Sequence, residues 1–138
     1  MQRISVNVAT LCDSATDESG KLSVHGTFDT VFATQFPAVH PRCSLAVRLT
    51  FTREEFKKHA LKIRFLDSKS DSFLQDVETP LDASPEHPDA TITSENVIIN
   101  LTSVELPRQG TYFIQLWLDG RLLTTLHLHA KPPTKAKK

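Results

Sequence analysis

The feature that most constrains the fold is the alternation of residue types along residues 43–51. Every second side chain in this stretch is apolar: Cys43, Leu45, Val47, Leu49 and Phe51. Side chains two residues apart in a strand point to the same side, and the side chains between them point to the other. The pattern therefore predicts a strand that buries one face in a core.

The rest of the chain repeats this signal in short stretches. Residues 4–9 alternate in the same way, and β-rich stretches follow at 22–33, 60–66, 72–77, 97–106, 111–118 and 122–130. Turn-forming sequences at 17–20, 67–71 and 107–110 separate them. About eight short strands with turns between them predict an all-β, single-domain antiparallel β-sandwich, immunoglobulin-like or a related Greek key.

Two stretches depart from the strand pattern. Residues 52–59 are the only helical candidate, because Thr52 followed by Glu55 fits a capping box, and the space allows one or two turns. Residues 80–88 hold three prolines and predict a loop.

Composition and charge exclude several classes of protein. The 138 residues carry 16 basic and 16 acidic side chains, which argues against nucleic-acid binding by the chain as a whole. No apolar run reaches the ~20 residues of a membrane span, and the first residues lack a signal-peptide core. We expect one domain over residues 1–130, followed by a disordered tail, residues 131–138, that is rich in lysine and proline.

The two cysteines, Cys12 and Cys43, are too few for a disulfide scaffold, and both lie in apolar stretches. They are expected to be small buried thiols in a cytoplasmic protein.

The register of the last hairpin decides which residues face outward. A three-residue loop, 118–120, places Trp117 opposite Arg121 and puts Gly120 where a left-handed residue is wanted. Tyr112, Ile114 and Leu116 then share the inner face with Leu122, Leu126 and Leu128. A two-residue loop at Asp119 and Gly120 would mix the two faces, so the three-residue loop is preferred.

This register leaves an apolar outer face, formed by Phe113, Trp117 and Leu123. Three large apolar side chains are more than a solvated sheet face normally shows. The face is therefore a candidate interface for a homodimer or an unidentified protein partner. Two structural alternatives stay open: the 80–88 loop covers the face, or Trp117 forms a cation–π pair with Arg121.

Tyr112 is the only tyrosine in the chain, and it follows a turn at residues 107–110. This arrangement resembles the corner of immunoglobulin-like sandwiches, where a tyrosine hydroxyl bonds back to the backbone a few residues upstream. We expect Tyr112 to be structural.

Other chemistry has weaker support. His127 and His129 share a strand face, and Asp13, Asp17 and Glu18 cluster near a turn, but neither group has the spacing of a metal site. No metal, cofactor or catalytic residue is predicted. The alternative function is a small enzyme or metal-dependent ligand binder with a site near His25, Asp29 and His40, although no nucleophile is placed beside them.

Several segments together resemble an uncharacterised bacterial family of proteins of about this length. They are NVATLCD at residues 7–13, GKL at 20–22, GTFD at 26–29, FPAVHP at 36–41, GTY at 110–112 and DG at 119–120. The resemblance implies a small soluble β domain of unknown function, with no established activity, cofactor or catalytic residue. With the apolar face, it favours a non-enzymatic binding or assembly module.

Overall fold

The computed structural model describes residues 3–85 and 87–134. Those residues form nine strands and one short 3-10 turn at Arg53–Glu55. The strands are β1 (Ile4–Glu18), β2 (Lys21–Phe28), β3 (Thr30–Phe32), β4 (Ala38–Thr52), β5 (Lys58–Leu66), β6 (Ser72–Asp82), β7 (Ile92–Leu106), β8 (Gly110–Leu118) and β9 (Arg121–Lys131).

The strands build two sheets, which confirms the predicted all-β sandwich. A four-stranded sheet has the order β2-β1-β4-β7, and a five-stranded sheet has the order β3-β9-β8-β5-β6. Pairing is antiparallel except where the short β3 runs parallel to β9. In the first sheet, β4 pairs with the edge strand β7 from Ala38 opposite Leu106 to Thr52 opposite Ile92.

The core lies between the two sheets, and alternation selects its members. From β4, every second side chain from Leu45 to Phe51 is fully buried. They belong to one apolar cluster with Ile63 and Phe65 of β5 and with Ile114 and Leu116 of β8. The strand predicted at 43–51 is thus the C-terminal part of a longer one, β4, and its inner face is the predicted face.

The helix predicted at residues 52–59 is wrong in extent. Only Arg53–Glu55 form a 3-10 turn, and β5 already begins at Lys58. The Thr52 hydroxyl donates to the Glu54 carboxylate at 2.5 Å and makes no hydrogen bond to a backbone N–H, so no capping box forms. Only five residues separate the two paired strands, fewer than the eight of the predicted helix.

The loop predicted for the last hairpin is also wrong. Asp119 and Gly120 form a two-residue loop with φ of 51° and 82°, and Leu118 lies opposite Arg121. Positive φ at both positions is typical of the type I′ turn, which matches the twist of the two strands.

A β-bulge then restores the predicted inner face except at Leu122, which was predicted inside but is 46% exposed and lies beside Trp117 on the outer face. The pairing shifts so that Trp117 lies opposite Leu122 and Leu116 lies opposite Thr124, which leaves Leu123 without a partner. Beyond the bulge, Ile114 faces Leu126. The mixing of faces expected for a two-residue loop is therefore confined to the turn.

Tyr112 forms the predicted corner. Its side chain is buried, its hydroxyl donates to the carbonyl of Arg108, and it accepts the Arg108 N–H at 3.0 Å. This corner supports the immunoglobulin-like description of the sandwich, which stays a prediction.

The end of the domain differs slightly from expectation. Lys131, assigned to the tail, is the last residue of β9, and residues 132–134 follow without regular structure. The remainder of the predicted tail, residues 135–138, lies outside the described residues. Within the described ranges, the structure contains no helix long and apolar enough to cross a membrane.

Candidate functional site

The outer face of the five-stranded sheet carries a row of ring and leucine side chains, interrupted by Gln115 and Thr125 and here called the aromatic band. Its members are Phe32 of β3, Phe113 and Trp117 of β8, and Leu122, His127 and His129 of β9. Phe113 meets His127 edge to face with ring centroids 5.1 Å apart. Phe32 is 56% exposed and Leu122 is 46% exposed, while the Phe113 and Trp117 side chains are half-buried.

The aromatic band contains two of the three residues predicted for the outer face, and Leu122 takes the place of the third, Leu123. Phe113 and Trp117 point outward as expected, because Tyr112, Ile114 and Leu116 between them are buried in the core. Leu123 was predicted beside them, but it is half-buried and packs against the core cluster. The bulge puts Leu122 next to Trp117 instead.

The other half of the same face is charged and internally paired. Lys62 of β5 lies 3.6 Å from the Asp76 carboxylate and 3.8 Å from that of Glu78, both on β6. Arg64 contacts Asp76 at 3.8 Å. The face thus divides into an ion-paired half on β5 and β6 and the aromatic band on β8, β9 and β3.

Neither structural alternative for the band is realised. Ser84, Pro85 and His87 line a pocket with Arg48 and Asn96 of the four-stranded sheet, so this part of the 80–88 region lies along that sheet. Its first residues, Pro80 to Asp82, are part of β6. Trp117 pairs with Leu122, and its indole N–H donates to Gln115 at 3.0 Å. Within residues 3–85 and 87–134, the only cation–π contact is between Lys131 and Phe32.

At the turn end of this face lies an open cleft of about 650 Å³, here called the turn cleft. Its apolar part is formed by Ile4, Leu118, Leu122 and Leu123, and its charged part by Arg3, Glu55, Lys57, Asp119 and Arg121. Leu122 belongs to both the cleft and the aromatic band.

A buried histidine fixes one wall of the turn cleft. The His59 side chain is fully buried and stacks on Phe51 with ring centroids 4.9 Å apart. Its Nδ1 is 2.5 Å from the Asp119 carboxylate, and its Nε2 is 2.8 Å from the carbonyl oxygen of Glu55. The same Asp119 carboxylate accepts the N–H of Ala60 at 2.9 Å.

The hydrogen-bond partners of Asp119 determine its protonation state. Partial burial raises the pKa of Asp119, but hydrogen bonds from Ala60 and His59 outweigh it, so the pKa lies below its ordinary value. Asp119 is therefore a carboxylate at neutral pH. A carboxylate and a carbonyl oxygen only accept hydrogen bonds, so each ring nitrogen of His59 faces an acceptor.

The alternative polar residues do not form a common site. His25 is exposed on β2, while the side chain of Asp29 accepts the Thr30 hydroxyl at 2.9 Å. His40 stacks near Phe28 with ring centroids 5.4 Å apart, and its buried Nε2 has no hydrogen-bond partner among the described residues.

The remaining candidate ligands and nucleophiles are also structural in character. Both cysteines are free and buried, and burial raises the pKa of Cys43 to about 11, so its thiol stays protonated at neutral pH. Within the described ranges, no group of three or more potential metal ligands occurs.

Sequence reasoning missed His59, Asp119 and the turn cleft. His59 and Asp119 are 60 residues apart, and only the pairing of β5 with β8 brings them together. The available signals were the four-residue spacing of Glu55 and His59 and the Asp-Gly turn, neither of which identifies the other.

A comparison with solved structures found a protein that contains a similar fold. The chain is similar to the Pseudomonas fluorescens alkylpurine DNA glycosylase AlkC, in a structure bound to DNA containing an abasic site analog. The TM-score is 0.56 at 8% sequence identity, over 94% of this chain and 30% of that one. The chain thus spans less than a third of the glycosylase, and this likeness concerns the fold alone.

A second similarity, to a glycosyl hydrolase family 2 member from Bacteroides cellulosilyticus, has a TM-score of 0.33 at 14% identity. It covers 70% of this chain and 14% of that one. No curated protein matches the sequence.

At the sequence level, a family of unknown function (DUF6941) matches residues 7–131. The match includes every segment on which the expected resemblance to an uncharacterised family was based. The chain therefore belongs to this family of unknown function, DUF6941.

Proposed function

We propose that the protein is a non-enzymatic assembly module in which two copies associate through their aromatic bands. The observation that carries the proposal is the apolar outer surface of β8 and β9, where half-buried Trp117 lies beside exposed Leu122 and half-buried Phe113 lies beside His127. Aromatic side chains are enriched at the centres of protein interfaces, where polar residues form the rim.

The dimensions of the face support this occupant. Five strands at about 4.8 Å spacing, with nine residues in β8, give a face of about 700 Å². A standard interface buries about 600–1,000 Å² on each partner, so a dimer of standard size needs the whole face, with the aromatic band as its apolar part and the ion-paired half as its rim.

Charge also supports a second copy over nucleic acid. The chain has equal numbers of basic and acidic side chains, so two copies carry no net repulsion. The charged half of the face holds cations and carboxylates side by side, which suits a polar rim against its own copy. The glycosylase of similar fold is bound to DNA, and at 8% identity this favours no nucleic-acid role here.

The proposal also states that the protein catalyses no reaction and that it lies in the cytoplasm. The dispersal of His25, Asp29 and His40 gives the enzyme and metal-binder alternative less support than the aromatic band has. Two free, buried thiols suit a cytoplasmic protein, and we place it there.

Light scattering of the untagged chain at low and high salt tests the proposal. We expect a dimer that persists at high salt, because burial of apolar surface is not screened. Leu122→Asp and Trp117→Asp should each convert it to a monomer with an unchanged far-UV circular dichroism spectrum. Leu122 is exposed, so its variant remains informative if Trp117→Asp fails to fold.

The matched control is the double variant Val24→Asp and Ile92→Asp, which charges two exposed apolar positions on the four-stranded sheet. It should remain a dimer. A wild-type monomer at micromolar concentration, or a dimer that Leu122→Asp leaves intact, overturns the proposal.

A further inference from the structure

We infer that the turn cleft binds a short acidic peptide segment of a partner protein, one that carries an apolar side chain next to its carboxylates. This binding site is separate in its chemistry from the proposed self-association, and the inference goes beyond that function.

The first argument is the charge that remains after internal pairing. Both carboxylates of the cleft are engaged, Asp119 with His59 and Ala60, and Glu55 with Lys57 at 3.7 Å. Among the described residues, no carboxylate lies within ion-pair distance of Arg3 or Arg121, which both line the cleft. The cleft therefore presents two guanidinium groups that are available to an external carboxylate.

Arg3 does act on one acid from beyond contact distance. The pKa of Glu54 is lowered chiefly by the hydrogen bond from Thr52, and Arg3 contributes more weakly. Glu54 is exposed and already bonded to Thr52, so it leaves the donors of Arg3 free.

The second argument is the apolar surface between the charges. Ile4 and Leu123 line the cleft half-buried at the border of the core, and exposed Leu122 lies in the same lining. A phosphodiester backbone would leave this surface without a partner. A peptide that alternates acidic and apolar side chains matches both the guanidinium groups and the apolar lining.

The third argument is that one wall of the cleft is fixed before binding. The His59 network holds the β8–β9 turn against the segment around Glu55 through hydrogen bonds of 2.5 and 2.8 Å. The turn therefore needs little ordering when a ligand arrives, which reduces the entropic cost of association.

The inference is tested by titrating the isotope-labelled full chain with capped peptides and following its backbone amide resonances. The probe peptide alternates glutamate and leucine. Its controls alternate glutamine with leucine, to remove the charge, and glutamate with glycine, to remove the apolar side chain.

We expect saturable shifts that cluster at residues 55–60 and 118–123, and binding at least about tenfold weaker for each control peptide. The double variant Arg3→Gln and Arg121→Gln should also bind the probe at least about tenfold more weakly. Arg42→Gln, which changes an exposed arginine on the four-stranded sheet, should bind as the wild type does. The single variant Arg121→Gln gives the same test if the double variant misfolds.

Three results overturn the inference: no saturable shift at millimolar probe, equal affinity in the arginine variants, or displacement of the probe by a short DNA duplex that binds the same amides more tightly. The oligomeric state is measured separately by light scattering, so failure of peptide binding is distinguishable from failure of self-association.

Discussion

Strand β8 carries large apolar side chains on both faces of the five-stranded sheet, and the two faces differ sharply in burial. Inward-pointing Tyr112, Ile114 and Leu116 are at most 1% exposed. Outward-pointing Phe113 and Trp117, one residue away from them, are only half-buried. Both sets of side chains belong to the same strand. The inward ones therefore stabilise the fold, and the outward ones keep apolar surface that a partner can bury.

The outer face of the five-stranded sheet also has two halves that differ in how their side chains are paired. On β5 and β6, Lys62 and Arg64 lie within 4 Å of the Asp76 carboxylate, so their charges are opposed locally, although Arg64 Nε and Asp76 Oδ1 make no hydrogen bond among the described residues. On β8 and β9, aromatic rings contact one another but retain apolar surface that solvent does not stabilise. An interface therefore has most to gain on the aromatic half.

The largest expected effect comes from the inner face. Leu116→Ala removes a fully buried side chain and leaves a cavity, so we expect the free energy of unfolding to fall by about 2–5 kcal/mol. Chemical denaturation of a monomeric background such as Leu122→Asp measures it. A loss below about 1 kcal/mol would mean that the two faces of β8 contribute alike.

Tyr112→Phe tests the polar part of the same inner face. The change removes the hydrogen bond to the Arg108 carbonyl and leaves the Arg108 N–H without its acceptor, which we expect to cost about 1–3 kcal/mol. Thermal and denaturant unfolding should both show it. An unchanged midpoint would remove the tyrosine corner from the account.

Asp119→Asn tests the turn that joins the two strands. Asparagine tolerates the positive φ of this position, so the loss isolates the charge that holds His59 and should be about 1 kcal/mol at pH 7.

The pH dependence of this loss has a definite sign. The pKa of Asp119 is lower in the folded than in the unfolded state, where it is about 3.9. Its stabilisation is thus fully present above the unfolded pKa and is lost as the pH falls through the folded one. Stabilities of wild type and variant should converge below about pH 4; a constant difference down to pH 2 would contradict the assignment.

The smallest effect is expected on the ion-paired half of the outer face. Lys62→Met removes contacts between half-exposed groups, so unfolding free energy should change by at most about 0.5 kcal/mol. Light scattering should show the same oligomeric state as for the wild type. A dimer lost through this change would shift the interface from the aromatic band to the charged half.

Sequence periodicity predicted the fold because burial acts on every second residue of a strand. It identified the inner face of β4 and the inner residues of β8, where a single misplaced residue would be buried at high cost. It failed at the last hairpin, because a two-residue turn with a bulge gives almost the same face pattern as a three-residue loop. For that reason Leu122 was predicted on the inner face and Leu123 on the outer face, whereas Leu122 is exposed beside Trp117 and Leu123 packs against the core.

The candidate site was predictable only where it follows from alternation. Phe113 and Trp117 could be assigned outward from their neighbours on β8. The turn cleft could not, because it combines Arg3, Lys57 and Arg121 from three distant parts of the chain. Local spacing carries no information about which turn meets which strand end, and His59 shows this best, since its partner lies 60 residues away.

The most direct test of the central claim is an isotope-filtered NMR experiment on a mixture of labelled and unlabelled chains, which detects only contacts between copies. Dimerisation through the aromatic bands should give intermolecular signals from the Trp117 indole and the Leu122 methyl groups to the aromatic band of the other copy. The contradicting results are an absence of intermolecular signals, or signals confined to Val24 and Ile92 on the four-stranded sheet.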